Sequence, residues 1–182
     1  MNIKANKKNI LVGIIVVIII GIIGIVCYDR ITVNNQYYIG EKNLEIPIFV
    51  YHNIVNDSSE IKYDYMQTTE KTFEEQIRGL ENLGYHFISY QDLIDYNNGQ
   101  KKLYKKSCVL TFDDGCKDIY TNAYPILQKY NIPFTMFVVT NAVGADGCAS
   151  WEELKEMQDS GLALIASHST NHTEFNKLSV EE

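Results

Sequence analysis

Two pairs of side chains in this sequence could do chemistry together: the adjacent carboxylates Asp113 and Asp114, and the imidazoles His168 and His172. Each pair follows an apolar run, Cys108–Phe112 in one case and Leu162–Ala166 in the other. Each therefore stands where a buried strand would open into a loop. Neighbouring acids in that position can divide the labour: one ligates a divalent metal ion while the other, close to the cation but unbound, takes a proton from water. The spacing of His168 and His172 predicts two rings on one side of a helical turn. Two imidazoles and one carboxylate leave coordination positions open for water and substrate. The pattern as a whole predicts a metal-dependent hydrolase. The same ligand types form the facial triad of non-haem iron oxygenases. Here, however, the carboxylate lies far upstream of the histidines and carries a second acid beside it, which favours hydrolysis.

Plainer explanations compete with this one. Asp114-Gly115 is a common turn signal, and a His pair on a helix face is often only polar surface. A hairpin turn, though, requires a second alternating strand, and the chain instead continues with Ile119 to Tyr130, which reads as a helix. The acids therefore belong to a strand-to-helix loop.

The elements that must position these residues are read from periodicity. Thr72 to Leu83 is expected as a helix, with Thr72 as its cap, Glu75 three residues on, and Phe73, Ile77, Leu80 and Leu83 as its apolar stripe. A strand at His86–Ser89 and a short helix at Gln91–Tyr96 are expected next, while Asn56 to Thr69 is polar and reads as a long surface loop. Strands alternating with helices predict an α/β fold, a parallel (β/α) barrel with its helices outside.

The segments Thr111-Phe112-Asp113-Asp114-Gly115 and His168-Ser169-Thr170-Asn171-His172 resemble the first two motifs of the polysaccharide deacetylase (NodB-homology) family, the family 4 carbohydrate esterases. Between them, Pro133–Val138 resembles the family's next core strand, and Trp151–Met157 with Ser160-Gly161-Leu162 resembles the helix and turn leading to the histidines. The resemblance runs from about Ile46 to Leu178. It implies that Asp113 is the catalytic base and that Asp114, His168 and His172 hold a divalent metal ion, with zinc as the first expectation. It implies a reaction too, the hydrolysis of N-acetyl groups on an N-acetylglucosamine polymer. Pro47–His52 is similar to the first strand of the branch that deacetylates poly-N-acetylglucosamine, which makes His52 a second catalytic candidate at the carboxyl end of a barrel strand. His86 precedes its strand and is expected to be structural. The family's later motifs, an Arg segment, an Asp-Trp segment and a Leu-x-His carrying the general acid, have no counterpart before Glu182. The expectation is thus an incomplete barrel of roughly five of seven or eight strands. The alternative is a non-catalytic, membrane-anchored fragment of such an enzyme.

Location is written at the other end of the chain. Residues 10–28 carry no charge and, at about 1.5 Å per residue, would span a hydrocarbon core of about 30 Å. Lys4, Lys7 and Lys8 precede the run, so the positive-inside bias places residues 1–9 in the cytoplasm and the remainder outside. No small-x-small pair closes the run, which favours an uncleaved anchor over a signal peptide. The expected organisation is a transmembrane anchor at 10–28, a polar stalk at 29–44 and the deacetylase domain at 45–182, single-pass in the cell membrane with the domain extracellular. A formal net charge of -7 argues against nucleic acid as a partner. Of four cysteines, Cys27 falls in the anchor, and the odd number left outside it implies no complete disulfide framework. A Cys116–Cys148 bridge is compatible with the count.

Overall fold

The computed structural model describes residues 37–38, 45–62 and 65–179. Within them the strands are β1 (Tyr37–Tyr38), β2 (Ile48–Tyr51), β3 (Asn53–Val55), β4 (Gln67–Thr69), β5 (His86–Ile88), β6 (Leu103–Tyr104), β7 (Ser107–Phe112), β8 (Phe134–Val138) and β9 (Ala163–Ser167). The helices are α1 (Glu70–Asn82), α2 (Tyr90–Asn97), α3 (Tyr124–Tyr130) and α4 (Trp151–Asp159).

Five strands form one parallel sheet with β7 at its centre. All six residues of β7 are buried, four of them apolar, as expected of a parallel strand covered on both faces. β2 runs beside it from Ile48 opposite Val109 to Tyr51 opposite Phe112. β5 takes the first half of β7 and β8 the second half, and β9 pairs with β8 along its whole length. Because these strands point the same way, the residues just beyond four of them, His52, Asp113, Val139 and His168, lie along one edge of the sheet. Two small pairings flank it, β3 with β4 in parallel and β1 with β6 antiparallel.

Packing converges just under that edge. The Phe112 ring lies 5.8 Å from Tyr51, 5.9 Å from Phe73 on α1 and 5.6 Å from Phe134, the last two as edge-on contacts. One buried aromatic thus joins β2, β7, β8 and α1 immediately before the acid pair. At the opposite end of the sheet His86 stacks on Tyr104 with ring centroids 3.8 Å apart, far along β5 from the edge that carries the acids.

Local chemistry moves several expected boundaries. α1 begins at Glu70 because Thr69, not Thr72, adopts the extended backbone of a cap and accepts from Thr72 N at 3.1 Å. Among its described residues the expected loop 56–69 contains a 3-10 turn at Ser58–Glu60, capped by Asp57, and ends in β4, a strand too short to show a period. Helices α2 and α4 each open on a capping box, Ser89 with Asp92 and Ser150 with Glu153. The helix expected over Ile119–Tyr130 starts as a π turn at Ile119–Ala123 before α3. Pro125 accounts for the irregular entry, since it has no N–H to return to residue 121.

Among the described residues no helix is long and apolar enough to cross a membrane, and the expected anchor at 10–28 lies outside them. Of the expected stalk, Tyr37–Tyr38 are described, and they pair with β6.

Truncating Phe112 to Ala removes the ring that joins four elements and is expected to cost ~3–5 kcal/mol. Denaturant unfolding of the two proteins measures this; an unchanged midpoint would contradict the packing described.

Candidate metal centre

The sheet ladder delivers Asp113 to its place, because its N–H donates to Tyr51 O at 2.9 Å and so continues the β2–β7 pairing one residue beyond the strand. Asp113 therefore sits next to His52, the residue that follows Tyr51. The backbone then turns back on itself through two left-handed residues, Asp114 at φ 70° and Gly115 at φ 80°. A side chain at 115 would meet Val138, its Cβ standing 3.2 Å from Val138 Cγ1, so both conformation and space call for glycine there.

His168 arrives in the same way. Its N–H donates to Val138 O at 2.7 Å and extends the β8–β9 ladder beyond Ser167. The chain after it is not the helical turn expected from the spacing. Ser169 at φ 68° and His172 at φ 54° are left-handed, and Ser169 Oγ accepts from His172 N at 2.9 Å, which closes an open turn instead. The two rings still converge, with centroids 4.9 Å apart.

Asp114 Oδ1 lies 3.5 Å from His168 Nε2 and 3.4 Å from His172 Nε2, and one ligand atom from each of the three residues falls within 4.8 Å of the others. These separations are long for charge-assisted hydrogen bonds of about 2.7–2.9 Å. They match the spacing of about 3.3–3.4 Å between ligands bound tetrahedrally at about 2.0–2.1 Å. Asp114 Oδ1 is moreover buried and accepts no hydrogen bond. A buried carboxylate oxygen without a donor is costly, and a cation between it and the imidazoles satisfies it. The donor set thus fits a divalent metal ion. An open cavity of about 290 Å³, lined by Ser167, His168, Ser169, His172, Thr173 and Glu174, lies against the two histidines.

Two supports were not visible in the sequence. Asp118, held above the usual carboxylate range by burial, accepts from Asn53 Nδ2 at 3.0 Å, and Asn122 Nδ2 donates to Ile54 O at 2.6 Å. Together they fix residues 53–54, directly after His52. The signal for Asp118 was slight: an acid four residues beyond Asp114, just before the expected helix. The second support is the loop between β8 and α4. Thr140 N and Asn141 N donate to Ser169 O and Thr170 O, both at 3.1 Å, while Ala149 N donates to Gly115 O at 3.0 Å. This strap ties the histidine segment to the acid turn.

A parallel α/β sheet that brings two imidazoles and two adjacent carboxylates to its carboxyl edge makes a candidate metal centre. The family model for polysaccharide deacetylase matches residues 100–182. The poly-beta-1,6-N-acetyl-D-glucosamine N-deacetylase of Staphylococcus aureus (strain MRSA252) is 35% identical over 134 residues, covering 71% of this chain and 44% of that protein. The solved de-N-acetylase from Aggregatibacter actinomycetemcomitans superposes with a TM-score of 0.65 at 30% identity, covering 69% of this chain and 55% of the other. The Streptococcus pyogenes deacetylase PplD, solved in complex with acetate, does so with a TM-score of 0.65 at 31% identity, covering 74% and 60%. The chain belongs to the polysaccharide deacetylase family, and it spans about half the length of the curated relatives it matches.

Gly115→Ala is expected to destabilise the fold by ~1–3 kcal/mol through left-handed strain and the clash with Val138. Adding Val138→Ala should relieve the steric part alone, so the double variant recovers some of the loss beyond the simple sum. Melting of Gly115→Ala like the parent protein would contradict this geometry.

Proposed function

We propose that this protein is a metal-dependent deacetylase that removes N-acetyl groups from an N-acetylglucosamine-containing polysaccharide at the cell surface. The observation that carries the reading is Asp114 Oδ1, buried without a donor and flanked by two imidazole Nε2 atoms at 3.5 and 3.4 Å. A divalent ion held there, with zinc as the first candidate, would supply Lewis acidity toward an acetyl carbonyl and make water more acidic.

The chain's own residues supply the rest. Asp114 is committed to ligation, so Asp113, on the same turn but outside the ligand set, is the carboxylate available to take a proton from the attacking water. Amide hydrolysis also needs a proton delivered to the departing amine nitrogen. His52 follows the strand residue paired with Phe112, stands beside Asp113 at the sheet edge, and is the proposed carrier of that proton. The cavity beside His168 and His172 is open rather than enclosed, as access for one residue of a polymer requires. The names of the relatives support the substrate class: the S. aureus protein is a poly-beta-1,6-N-acetyl-D-glucosamine N-deacetylase, and PplD was solved with acetate.

The location completes the proposal. The uncharged run 10–28, preceded by Lys4, Lys7 and Lys8, anchors the chain with the domain outside, where such a polymer would be met.

Acetate release from N-acetylglucosamine oligomers, read together with bound metal, tests the roles. Asp113→Asn should lower turnover by ~10²–10⁴-fold and leave metal content unchanged. His168→Ala and His172→Ala should instead lose metal. Full turnover in Asp113→Asn would remove it as the base. Orientation is tested by protease treatment of intact cells followed by blotting for each end of the chain. Residues after Tyr28 should be digested while the cells stay intact; protection of the domain would contradict the anchor.

A further inference from the structure

The strap between β8 and α4 ends at a second feature of the acid turn. Cys116 and Cys148 face each other as an isolated antiparallel bridge. The hydrogen bonds framing it run from Lys117 N to Gly147 O at 2.9 Å and from Ala149 N to Gly115 O at 3.0 Å. They join the residues on either side of the cysteines and not the cysteines themselves. The pair is therefore of the non-hydrogen-bonded kind, in which Cα atoms stand about 4.5 Å apart and side chains approach most closely. A disulfide requires Cα atoms about 4.4–6.8 Å apart and Cβ atoms about 3.5–4.5 Å apart, so the backbone already meets its demand. Both cysteines are free thiols in this structure and both are partly exposed. Cys108, by contrast, is fully buried inside β7.

We propose that Cys116 and Cys148 are a disulfide pair, closed by exchange with an external disulfide such as oxidised glutathione, and that the bond staples the strap to the acid turn. One cysteine sulfur attacks the external disulfide, forming a mixed disulfide and releasing one small thiol. The second cysteine sulfur then attacks the protein sulfur of that mixed bond and releases the second small thiol. The protein loses two electrons and two protons, and the external disulfide is reduced to two thiols. Burial, then Asp118 and Asp114, raise the Cys116 thiol to about 12. That slows exchange without altering which state is favoured at equilibrium.

The staple acts where the candidate metal centre is held together. Cys116 is two residues from Asp114, and the strap that carries Cys148 also bonds the backbone of Ser169 and Thr170. Closing the pair therefore limits the separation of the acid turn and the histidine segment in partly opened states. This inference concerns the thiols alone and stands whether or not the site releases acetate.

The test uses the full chain, equilibrated with oxidised glutathione, alkylated without reduction and digested with trypsin. The expected product links peptide 107–117 to peptide 130–155 and, because Cys108 shares the first peptide, fragmentation should place the bond at Cys116. Reductant should lower the melting temperature by several degrees, and Cys116→Ser/Cys148→Ser should lose that dependence. Should the double variant fail to fold, the parent protein with and without reductant still decides the matter. Alkylation of both cysteines after equilibration, a glutathione adduct without the linked peptide, a bond at Cys108, or identical melting in the two redox states would overturn the proposal.

Discussion

Parallel pairing through β7 is the constraint on which the site depends. Strands that run the same way end on the same side, and the ladder here is continued past the strands by Asp113 N to Tyr51 O and by His168 N to Val138 O. Each of those bonds fixes the first residue of a functional loop with the precision of a sheet rather than of a loop. Below the edge Phe112 packs on Tyr51, Phe73 and Phe134, so the strand that carries the acids cannot shift without disturbing three neighbours. Packing and backbone hydrogen bonding thus do the positioning, and the polar residues inherit it.

The backbone beyond the strand ends is unfavourable taken alone. Asp114, Ser169 and His172 are non-glycine residues in left-handed conformations, and Asp114 Oδ1 is buried without a donor. Strain and an unsatisfied carboxylate persist only where the surroundings over-determine them. The strap bonds both segments, Ser169 Oγ holds His172 N, and Asp118 with Asn122 holds the chain just past His52. The remaining cost at Asp114 is electrostatic, and a cation between the carboxylate and the two imidazoles would offset it.

The clustering of Asp114, His168 and His172, and the place of Asp113 beside them, was legible because residue types and positions after apolar runs carry the signal. Asp113, Asp114, His168 and His172 all stand where strand ends were expected, and the strands of the parallel sheet were visible as apolar runs. The shape of the His168–His172 turn was not. A spacing of four suggests a helix, and nothing in Ser169 or His172 announces a left-handed backbone, as a glycine would. Asp118, Asn53 and Asn122 escaped for another reason: hydrogen bonds between polar residues far apart in sequence leave no period to detect. The cap of α1 fell on Thr69 and not Thr72 because two threonines offer the same chemistry, and only the backbone entering the helix chooses between them.

X-ray absorption at the metal edge of the zinc-loaded chain reads whether Asp114, His168 and His172 hold the ion. Ligation there predicts a tetrahedral first shell with two imidazole nitrogens at about 2.0–2.1 Å and carboxylate or water oxygen at about 2.0–2.2 Å. Bound zinc, and the imidazole contribution with it, should be lost when His168 and His172 are both replaced by alanine. A first shell of oxygens alone, or a shell unchanged by those substitutions, would contradict this ligation.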